Sequence, residues 1–166
     1  DQEIFLEVHM SNQLSEPSVQ GIVINFRDIT KRVEMEKRIA HIATHDELTH
    51  LPNRIYFRKY LKLQFETAIE NQTSFALMIL NIDDFKYINN ALGYQSGDEL
   101  IIEISKRLKS FLGEDRFICR YSGVQFVIVV QGLHSIKEYE KIAKGMIDIF
   151  SQPFRMDKYE LYITVN

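Results

Sequence analysis

Two short stretches carry the residues whose types and spacing could do chemistry. "NIDDFK" (Asn81–Lys86) follows a continuous apolar run and brings carboxylates at Asp83 and Asp84. "RYSGVQF" (Arg120–Phe126) reads as the tip of a β-hairpin turning at Ser122-Gly123. Ligands in α/β sheets collect at the carboxyl ends of strands, so these stretches could share one corner if their strands are neighbours. Magnesium takes hard oxygen donors, commonly one or two carboxylates together with substrate phosphates. Asp83 and Asp84 are adjacent, however, and on extended chain they point to opposite faces. Asn81 supplies a neutral amide oxygen and Val124 only an isopropyl group. Asp83 and Asn81 are thus weak metal candidates, and no metal is expected to be held here.

The elements that must position this corner are legible from periodicity. "SFALMIL" (Ser74–Leu80) is a strand-length apolar run of the kind buried on both faces. A helix capped by Asn53 carries Phe57, Tyr60, Leu61, Phe65 and Ala68 on one face. "SGDELIIEISKRLKSFL" has Ser96 and Glu99 at capping-box spacing. An amphipathic helix is expected over 135–152 and a second hairpin turning at Asp157-Lys158. The order predicts an α/β domain of the α+β kind, with a mixed central sheet flanked by helices.

Upstream, Ile4, Leu6, Val8 and Met10 alternate, as do Ile22, Ile24 and Phe26, which predicts two half-buried antiparallel strands. Two strands are marginal alone, so they are expected to belong to a larger sheet. Residues 31–45 predict a polar helix with Thr30 as N-cap and Val33, Ile39, Ala40 and Ala43 recurring at helical spacing. Either a solvated face or a seam between two protomers fits it. His41 and His45 stand at i, i+4, a spacing that can bind zinc, although surface histidines are the commoner outcome.

The 166 residues carry a net charge of −3 with both signs interspersed, which argues against a nucleic-acid partner. One cysteine, Cys119, excludes a disulfide framework and fits a small core residue. No apolar window reaches the length of a membrane span, and a cytoplasmic location is expected, with any anchor outside this stretch. The first residue is Asp and the last lie in strand-like "LYITVN", so a longer polypeptide is expected around both ends.

"DELTHLPNR" (Asp46–Arg54), "DFKYINNALGYQSGDELI" (Asp84–Ile101) and "RYSGVQF" together resemble the three signature blocks of the GGDEF, or diguanylate cyclase, family, over residues 46–166. "FRDIT" (Phe26–Thr30) resembles the end of a PAS sensor domain. The resemblance implies three segments: 1–30 from a PAS-like sheet, 31–45 a helical linker, 46–166 a GGDEF-like, nucleotide-cyclase-like domain. It further implies condensation of two GTP into cyclic di-GMP on divalent metal held by two acidic side chains.

Carried over by position, those acidic residues fall on Asn81 and Val124, and the loop's second acidic residue on Gln125. The resemblance places guanine recognition at Asn89 and Asp98, and the phosphate cradle at Phe85, Lys86, Ser122 and Gly123. Asn90 and Tyr94 replace the family's usual Asp and His. "GEDR" (Gly113–Arg116) lacks the Arg-x-x-Asp of the inhibitory product site. At an effective dielectric of about 20, a carboxylate and a dication at contact attract by several kcal/mol, and two such ligands are gone.

The expectation is a catalytically silent regulatory module. Mg and GTP would enter only if nucleotide binding persists, and no cofactor is required. Its partners would be GTP, a second copy through the linker helix, and an EAL-type phosphodiesterase domain in the same polypeptide. The alternatives are an active cyclase with an atypical metal site and a dimerisation scaffold with no nucleotide site. For Asp98, Asn89 and Lys86 the bland readings are a helix-dipole charge, a helix terminator and a solvated cation.

Overall fold

The computed structural model describes residues 3–113, 116–133, 135–156 and 159–166. The chain divides into two compact units, Asp1–Ala43 and Thr44–Asn166. In the first, β1 (Leu6–Gln13) pairs antiparallel with β2 (Gly21–Asp28). The register sets Val8 opposite Phe26 and Met10 opposite Ile24, so the apolar alternation of both strands lands on one face. That face is exposed rather than half-buried, with Met10 at 71% and Phe26 at 66%.

Helix α1 (Thr30–Thr44) follows. Thr30 does not cap it: the Asp28 carboxylate accepts from Thr30 N at 2.9 Å, while the Thr30 hydroxyl accepts from Phe5 N. The helix ends at Thr44, so His45 is not on it and the i, i+4 histidine pair does not form on one face.

The second unit opens with α2 (Arg54–Asn71), capped as expected by Asn53, whose side-chain oxygen accepts from Ile55 N and Tyr56 N. Then come β3 (Phe75–Asn81), α3 (Phe85–Leu92), α4 (Tyr94–Leu112), β4 (Phe117–Ser122) and β5 (Gln125–Gln131). The expected last helix is shorter than 135–152: α5 (Ile136–Asp148) gives way to a tighter turn at Ile149–Ser151. A short hairpin of β6 (Phe154–Met156) and β7 (Tyr159–Leu161) closes the order. Its expected turn at Asp157-Lys158 lies outside the described residues, as do Glu114 and Asp115 of "GEDR".

The sheet order is β3-β5-β4, with β5 antiparallel to both neighbours, so β3 and β4 run one way and β5 the other. Period-two alternation in β5 divides its side chains between two cores. Phe126, Ile128 and Val130 join Leu100, Ile104 and Leu108 of α4 and Met146 of α5. Val127 and Val129 join Cys119 of β4 and Phe57 of α2. This α+β arrangement, a central sheet flanked by helices, is the one expected from the sequence.

Two local features depart from or add to the sequence reading. The Ser96–Glu99 capping box does not form because α4 starts at Tyr94, and the Ser96 hydroxyl donates to Leu92 O at 3.0 Å. The helix also holds a long arginine: Arg107 donates to the carbonyls of Ile149, Gln152 and Pro153 and stacks over the Phe154 ring at 3.5 Å. These bonds satisfy backbone oxygens left over where α5 ends.

Candidate functional site

The carboxyl end of β3 and the β4–β5 tip do come together, because the register pairs Asn81 with Gln125. The tip turns one residue later than expected. Ser122 pairs with Gln125, which leaves Gly123 and Val124 as the turn residues. Gly123 takes φ +42°, a left-handed conformation that glycine enters without cost. The chain's last residues run beside β3: Asn166 and Asn81 exchange backbone hydrogen bonds at 2.9 and 3.1 Å, and Val165 bridges Ile82.

Side chains at this corner form a relay of hydrogen bonds. Gln125 Nε2 donates to Asn81 Oδ1 at 3.0 Å, and Asn81 Nδ2 donates to Asn166 Oδ1 at 3.2 Å. Asn166 Nδ2 then donates to Asp83 Oδ1 at 2.6 Å. The Val124 side chain turns inward against the core, and its carbonyl accepts from Ile82 N at 3.3 Å. Asp84 takes φ +54° ahead of α3 and makes no side-chain cap. The Asn81 and Asn166 amide oxygens and one Asp83 oxygen are therefore already accepting from N–H groups, and a divalent ion wants carboxylates. The donor set does not fit the metal that the resemblance implies.

The other half of the site lies between α3 and α4. Phe85 is half-buried at the start of α3 and Lys86 is exposed beside it. Asn89 Oδ1 is buried with no hydrogen-bond partner among the described residues. It presses on Gly97, where an added Cβ would come within 1.9 Å of that oxygen and 3.2 Å of the Phe85 ring. Gly97 is a site residue the motif reading passed over; its glycine identity inside a helix was the available signal. Asp98 is exposed. With α4 beginning at Tyr94, Asp98 lies beyond the first turn, where a helix-dipole role fades.

Arg120 was also passed over. It anchors the tip from behind: Nε donates to Gly123 O and Nη1 to Asp46 Oδ1, both at 2.9 Å. Burial alone would raise the Asp46 pKa, but the hydrogen bonds from Thr49 and Arg120 outweigh it and hold the carboxyl below its ordinary value. An arginine flanking an apolar hairpin was the signal in the sequence.

Comparison with known proteins gives one consistent answer. The family described as "Diguanylate cyclase, GGDEF domain" matches residues 43–166. Diguanylate cyclase DgcN of Escherichia coli is 37% identical over 117 residues, 70% of this chain and 28% of DgcN. MucR of Pseudomonas aeruginosa, a bifunctional diguanylate cyclase and cyclic di-GMP phosphodiesterase, is 28% identical over 82% of this chain and 20% of its own length. The chain thus spans under a third of either relative. Among solved structures, the coiled coil and GGDEF domain of DgcB from Caulobacter crescentus in complex with c-di-GMP superposes with a TM-score of 0.75. It is 25% identical, over 83% of this chain and 74% of that one.

Proposed function

The chain belongs to the GGDEF diguanylate cyclase family of cyclic di-GMP signalling, and we propose that it is a silent copy, a regulatory module that binds a guanine nucleotide without condensing it. The observation that carries this reading is the Gln125–Asn81–Asn166–Asp83 relay, which fills with amide hydrogen bonds the corner where the family keeps acidic metal ligands. The nucleotide would be read by Asn89 and Asp98, with Phe85, Lys86, Ser122 and Gly123 around its phosphate. GTP then acts as a ligand that shifts a conformational equilibrium, which requires tighter binding to one state than to the other.

The first unit and α1 fit the role of input. A PAS-like sheet would feed α1, whose exposed Met35, Ile39 and Ile42 recur at the spacing of a two-helix seam. A second copy is the proposed partner there, and a phosphodiesterase domain like the one named for MucR is the proposed output. No described helix is long and apolar enough to cross a membrane. The test is incubation of the chain with Mg-GTP or Mn-GTP, with chromatography for cyclic di-GMP. No product is expected. Turnover that is lost on mutating Asp83 or Asp84 would establish the opposite reading, an active cyclase with an atypical metal site.

A further inference from the structure

We propose that the loop over residues 44–53 and Arg120 form a joint that locks the end of α1 to the hairpin tip, so that the two open and close together. Its use as a route from input to pocket rests on the regulatory reading above; the joint itself does not. The first support is the way the loop is closed. Thr44, the last residue of α1, opens the second unit. Its carbonyl accepts at 2.9 Å from the N–H of Asn53, the residue that caps α2. Between them His45 bridges Pro52 antiparallel, and Asp46 N donates to Leu51 O at 2.8 Å. The end of α1, the loop and the start of α2 are therefore one hydrogen-bonded piece.

The second support is the grip of this loop on the tip. Asp46 Oδ1 accepts from Thr49 N at 2.9 Å, from the Thr49 hydroxyl at 2.7 Å and from Arg120 Nη1 at 2.9 Å. Thr49 thus fixes the carboxylate that Arg120 meets, and a charge-assisted bond is the stronger kind. The same guanidinium holds Gly123 O, while Arg120 N donates to Pro52 O. The next residue, Tyr121, sets its ring edge-on to Phe57 of α2, with centroids 5.8 Å apart. Two successive residues of β4 are tied to the loop and to the helix it caps.

Beyond the turn, the Val124 carbonyl accepts from Ile82 N, and Gln125 opens the amide relay through Asn81. Contacts run from Thr44 to the corner without a gap. The loop also holds strain: His50 takes φ +57°, kept there by its own N–H bond to Asp46 O. A side chain in that conformation persists where its surroundings fix it, so the loop opens as a unit once those bonds break.

Hydrogen exchange followed by NMR tests this on the 166-residue chain without nucleotide. Thr49→Ala, which removes one Asp46 bond, should speed exchange of the Asp46, His50 and Asn53 amides by about tenfold. The Ile82 amide, which reads closure of the tip, should speed by the same factor to within about threefold, with the α4 amides of Ile104 and Leu108 unchanged. Thr49→Ser, which keeps the hydroxyl, should exchange as wild type does. Coupling is reciprocal, so Gly123→Ala, strained at φ +42°, should speed the three loop amides in turn. In an Arg120→Ala background, Thr49→Ala should act on the loop alone. An Ile82 amide indifferent to Thr49→Ala, or equally responsive without Arg120, overturns the joint. Equal acceleration of Ile104 and Leu108 overturns it too, since the effect is then global. Because no nucleotide is present, each of these failures leaves the nucleotide reading standing, and a failure to bind nucleotide leaves the joint standing.

Discussion

Arg120 and Asp46 meet as an ion pair at 2.9 Å, with only 14% and 24% of their side chains exposed. The contact joins residues 74 positions apart. The Arg120 backbone N–H adds a bond to Pro52 O at 3.0 Å, so one residue fastens both the opening loop and the hairpin tip. Arg120→Ala would leave the Asp46 carboxylate and the Gly123 carbonyl each short of a donor. The expected loss is about 2 kcal/mol, or roughly 4–8 °C in Tm, read by calorimetric melting. Arg120→Lys should recover only part of it, since an ammonium cannot reproduce the guanidinium fork.

The same pair sets an acid limit. A carboxyl whose folded pKa is depressed contributes stability that is present above its unfolded value, about 4, and is lost as pH falls through the folded value. Melting temperature should therefore decline below about pH 4. Asp46→Asn, which cannot titrate, should be less stable at pH 7 and should show a shallower decline on the acid side. An identical acid slope in both proteins would refute the assignment.

Helix α2 and the hairpin strands were legible from their apolar runs and from Asn53, which caps its helix through its own side chain, but β3, expected to be buried on both faces, lies at the edge of the three-stranded sheet with Leu77 and Ile79 exposed. Failures cluster where tertiary partners decide the outcome. Ser96 and Glu99 have capping-box spacing, yet α4 starts two residues earlier at Tyr94, following Gly93 at φ +87°. Asn166 and Asn81 are far apart in sequence, so no local pattern announces their contact. That Asn81 and Val124 carry no carboxylate was readable from residue types alone. That Gln125 would close on Asn81 was not, because it depends on register.

Gly97 measures how tightly α3 and α4 are coupled at the base side. Gly97→Ala places a methyl 1.9 Å from Asn89 Oδ1, so Asn89 must leave its position. Overpacking of this kind costs about 1–3 kcal/mol. Guanine-nucleotide binding should fall by more than the loss of stability implies, since the displaced group is the one proposed to read the base. Calorimetric titration beside thermal melting separates the two effects.

Cys119 offers a probe of global opening. Burial pushes its thiol up to about 12, and none of its surface is exposed. A thiolate is the reactive form, so at pH 8 only about one part in ten thousand would be available even if the thiol were reached. Reaction with a disulfide reagent should track unfolding, rising steeply in denaturant and staying slow in native buffer. Rapid labelling of folded protein would contradict the burial.

Returning both acidic side chains to the corner gives the sharpest contrast with the natural sequence. In the double variant Asn81→Asp, Val124→Asp, the amide that links Gln125 to Asn166 disappears, and two carboxylates join Asp83. Without a cation these like charges repel, and the second substitution also puts a charged group where the Val124 side chain now packs on the core. The variant should melt several degrees below wild type in EDTA, and millimolar magnesium should restore part of the loss by binding only the folded state. Wild type, whose amides have nothing to gain from the ion, should melt at the same temperature with and without it. A magnesium-dependent Tm in wild type would mean that the relay opens to admit a metal, and the silent reading of this pocket would have to be abandoned.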